Sequence, residues 1–68
     1  MKLIDIMRAP DLERYTKTWL ADDASEITAD FDPDSAEGSA IFVIATGDTW
    51  MKNTKCQWQK VGSTEVAV

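Results

Sequence analysis

Asp30, Asp32 and Asp34 stand at alternate positions in the acidic stretch of this chain, a spacing at which carboxylates can converge on one hard cation. They resemble the first half of a calcium loop. The second half is absent, because the positions that such a loop fills with glycine and a bidentate glutamate are Ser35 and Ile41. The stretch reads as a solvated acidic loop, with cation binding by the three aspartates left open. Asp22, Asp23 and Glu26 would be an acid/base set only inside a pocket that shifts a carboxyl's pKa, and no apolar residues surround them in sequence. Cys56 would need a base to act as a nucleophile, yet the chain has no histidine. It reads as a small apolar strand residue. The serines and threonines lack a base for the same reason, and Gly38, Gly47 and Gly62 are isolated, so no phosphate cradle forms. The expectation is a non-enzyme without cofactor or metal centre.

Trp19, Trp50 and Trp58 are the other residues with functional content. Three tryptophans in 68 residues serve as core, as anchors of a protein contact, or as a ligand-stacking platform. A domain this small buries a limited fraction of its surface, and a single cysteine with no histidine supplies neither an internal disulfide nor a structural zinc set. Partner contact is the remaining means of stabilisation, so self-association or docking on a larger surface is expected.

The net charge of −5 argues against nucleic-acid binding, which draws its affinity from neutralising phosphates. That charge is polarised along the chain. Residues 1–37 hold ten acids and four bases, whereas residues 38–68 hold two acids and three bases. No window approaches the roughly 20 apolar residues that span a bilayer. Asp5 breaks the one apolar run near the start, so no export signal is read there and synthesis in a reducing cytoplasm is expected.

The elements that would position these residues follow from periodicity. Residues 2–7 alternate weakly and read as a short strand or an extended arm. Pro10 and Asp11 then look like the start of a helix, in which Leu12, Tyr15, Trp19 and Leu20 share one face at i, i+3, i+7 and i+8. The helix should stop near Asp22 and Asp23, whose charge opposes the dipole at that end. An acidic segment pinned by Ile27 and Phe31 follows, with Asp32-Pro33-Asp34-Ser35 as a turn. Three strands are expected at 40–46, 49–53 and 56–61, joined by turns at Gly47-Asp48 and Asn53-Thr54. The fold class expected is α+β, mainly β, with one N-terminal helix before a three-stranded antiparallel meander. Residues 1–36 would be arm, helix and acidic loop, and residues 37–68 the meander, within one domain.

Residues 37–62 resemble a β-hairpin module of small structural proteins of tailed bacteriophages, in head-fibre, head-decoration and tail-fibre-associated proteins. The resemblance is carried by Glu37-Gly38-Ser39, the apolar run Ile41-Phe42-Val43-Ile44, Thr46-Gly47-Asp48, then Trp50-Met51-Lys52-Asn53, and Trp58 followed by Val61. Ala45 departs from the acidic residue such modules often carry before the Thr-Gly turn. The resemblance implies a structural protein of the virion, made in the host cytoplasm and acting by contact with capsid or tail proteins and with copies of itself. Candidate contact residues are Leu12, Tyr15, Trp19, Phe42, Ile44, Trp50 and Trp58. The alternative is an acidic inhibitor whose carboxylates at Asp22, Asp23, Glu26, Asp30, Asp32, Asp34 and Glu37 mimic nucleic-acid phosphates.

Overall fold

The computed structural model describes residues 1–8 and 15–67. Five strands form one mixed sheet: β1 (Lys2–Arg8), β2 (Tyr15–Ala21), β3 (Ala40–Val43), β4 (Thr49–Lys52) and β5 (Trp58–Lys60), side by side in sequence order. β1 pairs with β2, β3 with β4 and β4 with β5, all antiparallel, while β2 and β3 run parallel. The helical element among the described residues is a single 3-10 turn at Ala24–Glu26.

This architecture corrects the expected helix and three-stranded antiparallel meander. The expected helix covers Tyr15, Trp19 and Leu20, and these residues lie in β2; Pro10 and Leu12 fall outside the described residues. Tyr15, Thr16, Thr18 and Trp19 are strand-favouring side chains. Pairing with β1 on one side and β3 on the other satisfies the backbone of β2 over long range, which overrides a helical spacing of four apolar residues. The three C-terminal strands are accordingly part of a larger mixed sheet and not a separate meander.

Parallel pairing requires a crossover, since β3 must start at the same end of the sheet as β2. Residues 22–39 make that crossover. Asp23 caps the 3-10 turn in a capping box with Glu26, whose carboxylate accepts from the backbone N–H of Asp22 and Asp23. Ile27 is buried, and Phe31 inserts between Trp19 and Trp58 at ring-centroid distances of 5.1 and 6.0 Å. Trp58 donates its indole N–H to the Phe31 carbonyl at 2.9 Å. The crossover therefore packs on one face of the sheet and closes the core, which comprises Ala21, Ile27, Ile41, Val43, Trp50 and Trp58.

The opposite face has no such cover among the described residues. Along β3 the exposure alternates sharply: Ile41 and Val43 are buried, whereas Phe42 is 44% exposed. In β1 the alternation is shifted by a bulge between Leu3 and Asp5, so that Leu3 and Ile6 pair with Trp19 and Lys17 on the covered side. One-sided burial gives a direct test by chemical denaturation. Ile41→Ala, which empties a core site, should cost about 2–5 kcal/mol. Val61→Ala, on the exposed side, should stay within about 0.5 kcal/mol.

Candidate contact face

Cross-strand partners project to the same side of a sheet, so the pairing register assigns each residue to a face. Two rows cross the open face. The first runs Lys2, Leu20, Phe42, Thr49, and continues to Val61 through the hydrogen bond from Val61 N to Thr49 O at 2.9 Å. The second runs Asp5, Thr18, Ala40, Met51, Gln59. Ile44 extends the face beyond β3, held by its N–H on the Ala21 carbonyl at 2.9 Å, and is 59% exposed. Phe42, Ile44, Met51 and Val61 are all exposed large apolar side chains. The result is an apolar surface interspersed with Thr18 and Thr49, with Gln59 on the β5 edge and one basic and one acidic residue at the β1 edge.

The sequence candidates divide between the two sides. Phe42 and Ile44 lie on the open face. Trp50 and Trp58 are enclosed on the covered side, Trp58 with 1% of its surface accessible. Trp19 is half-buried against Phe31, and Tyr15 is exposed on β2 next to Ser35, with which it forms an isolated bridge. Leu12 lies outside the described residues. Leu20, Met51 and Val61, and Met7 through its pairing with Thr16, also lie on the open face without having been singled out as contacts. Period-two alternation against Trp50 and Lys60 is the signal that marks Met51 and Val61, and assigning Leu20 requires knowing that its segment is a strand.

What holds the covered side together is an internal cation. Lys52 sits on β4 with 5% of its surface exposed, and its ammonium donates to the Asp32 carbonyl at 2.9 Å and to Ser35 Oγ at 3.1 Å. It also lies 5.2 Å from the centroid of the Trp58 ring. Asp32 presents that carbonyl from a left-handed backbone, φ +42°, a conformation that aspartate tolerates better than most residues. Its carboxylate meets Lys17 Nζ at 2.9 Å. The crossover is thus fastened to β2 and β4 through one residue.

These bonds also assign the groups that chemistry would need. Asp32 is engaged by Lys17, Asp30 accepts from Thr28 Oγ1 at 2.9 Å, and among the described residues no group of three or more candidate ligands is placed to hold a metal ion. Ser35 and Ser39 are buried with their hydroxyls donating to the Asp32 and Ala36 carbonyls. Cys56 is an exposed thiol in the turn before β5 at φ +60°, and not a strand residue. Glu26 is engaged by the Met1 ammonium, so the acidic run of residues 22–37 gives up part of its charge to internal pairing. A shallow groove on the covered side, between Ile27, Trp50 and Ala67, is mostly apolar with Glu65 at its margin. The described residues include no helix long and apolar enough to cross a membrane. Comparison of the chain with protein-family models, curated proteins and solved structures finds no match in any of the three.

Two outcomes are expected. Lys52→Met removes the donor that the Asp32 carbonyl and Ser35 hydroxyl face, and should cost about 2–3 kcal/mol while raising hydrogen exchange at residues 31–36. The Thr46 side chain and then the Lys60 ammonium hold the Asp48 carboxyl below its ordinary value of 3.8, against a desolvation that raises it. A lowered carboxyl stabilises the fold at pH above its unfolded value, and that contribution is lost as pH falls through the folded value. The melting temperature should therefore decline as the pH drops below 3.8, and Asp48→Asn should remove part of that decline.

Proposed function

We propose that this chain is a non-enzymatic structural protein of a tailed-phage particle, a capsid-decoration, head-fibre or tail component, that acts by protein–protein contact through the open face of its sheet. The observation that carries the reading is the one-sided core. The covered face already takes up the crossover, while Phe42, Ile44, Met51 and Val61 remain exposed on or beside adjacent strands. Contiguous apolar surface of this kind marks a contact site, and hydrogen-bonded strands give it a fixed geometry. The serines with enclosed hydroxyls and the buried Lys52 are committed to holding the crossover, which leaves the open face as the surface for binding.

The phage assignment rests on the resemblance of residues 37–62 to virion hairpin modules, and the partners it implies are capsid or tail proteins together with further copies of the chain. Nucleic acid and membrane have no place in this reading. The acids of the crossover lie on the side away from the contact face, where they keep the assembled surface soluble.

Mass spectrometry of gradient-purified particles, made by cells carrying the gene in its native genome, tests the reading. The chain should be present at many copies per particle. Phe42→Glu should remove it from particles while leaving its melting temperature within a few degrees of the parent. A chain found only in the soluble lysate would overturn the proposal.

A further inference from the structure

The two rows of the open face differ in a systematic way. In the first, β1 carries Lys2, β2 Leu20, β3 Phe42 and β4 Thr49; in the second, the same strands carry Asp5, Thr18, Ala40 and Met51. On each of these strands one row holds a large or basic residue and the other a small or acidic one. The larger member is in the first row on β2 and β3 and in the second on β4.

We infer that the open face pairs with a second copy of this chain about a twofold axis that lies between the two rows and runs across the strands. Such an axis places each strand antiparallel over its own copy and lays the first row of one protomer on the second row of its partner. Phe42 then falls over the small Ala40 position, Leu20 over Thr18, and Met51 over Thr49, so on β2, β3 and β4 each bulky side chain faces a smaller one, while beside β5 Val61 lies over the stem of Gln59. Lys2 falls over the Asp5 position, twice per dimer. The contact is isologous and self-complementary in both size and charge, as a closed dimer requires. Two sheets stacked with nearly aligned strands, about 10 Å apart, is an established mode of sheet packing.

Charge selects a second copy over a partner of one sign. Lys2 and Asp5 are the charged members of these rows and cancel, while the chain as a whole carries −5. The acids of the crossover sit on the covered side, so two protomers meeting face to face bring together their neutral surfaces and keep their acidic ones apart. The bulge in β1 contributes to this match. It separates Lys2 from Asp5 by three residues yet keeps both on the open face, one in each row.

This pairing rests on the reading of the open face as a contact surface, and it is tested by charge reversal. Sedimentation equilibrium of the full chain at low salt should give a dimer. K2E and D5K should each raise the dimer dissociation constant by about tenfold, the size expected when two exposed ion pairs become like-charge contacts. The double variant K2E/D5K should return it to within about twofold of the parent. A parent that stays monomeric, or a dimer indifferent to both single reversals, overturns the pairing. Particle incorporation of the same variants separates the two proposals. A monomer that enters particles through Phe42 would remove the twofold pairing and leave the contact function intact. A charge-reversible dimer absent from particles would do the opposite.

Discussion

The parallel pairing of β2 with β3 is the constraint on which the rest of the molecule depends. Once those two strands run the same way, the chain has to cross the sheet, and a crossover covers one face only. The molecule is therefore asymmetric from its topology onward: a core on one side, an apolar surface on the other. Lys52 secures this arrangement, because a buried ammonium with a carbonyl and a hydroxyl in reach holds the crossover at a defined position. The same ammonium lies 5.2 Å from the centroid of the Trp58 ring, so one residue joins the crossover's polar groups to the aromatic core.

The same asymmetry sorts charge. Acidic residues are concentrated between the second and third strands in sequence, which is where the crossover lies, so a linear bias becomes a spatial one. Lys17 pairs with Asp32 and the Met1 ammonium with Glu26, while Asp22, Asp23, Asp30 and Asp34 are exposed. A chain that had spread its acids evenly would have charged its open face as well, and an apolar contact there would have carried a desolvation cost.

How much of this was legible in the sequence can be argued residue by residue. β-forming side chains and turn residues mark the C-terminal strand segments, and Gly47 adopts the φ of +73° that a Thr-Gly turn requires. The β2 segment was hidden because Leu12, Tyr15, Trp19 and Leu20 fit a helical template while the competing signal, pairing with two distant strands, is not local. The bulge affected β1 in another way: an extra residue weakens the alternation by which a strand is recognised, which is why residues 2–7 read as either a short strand or an extended arm. The central role of Lys52 was not legible at all, because lysine is almost never fully buried unless it is paired and its partners lie some twenty residues away in sequence. For the candidate contacts, alternation placed Phe42 and Ile44 opposite Ile41 and Val43, but which side would be covered depended on the path of the crossover.

The crossover also bears on how quickly the chain can fold. The contacts within β1–β2 and within β3–β5 join near neighbours in sequence, whereas β2–β3 pairing closes a loop over residues 22–39. Loop-closure entropy has to be met before that pairing yields any stabilisation. The fast events are the hairpins at each end. The slow one is the meeting of the two halves, and because the tryptophan core is shared between them, neither half has a complete interior until they meet.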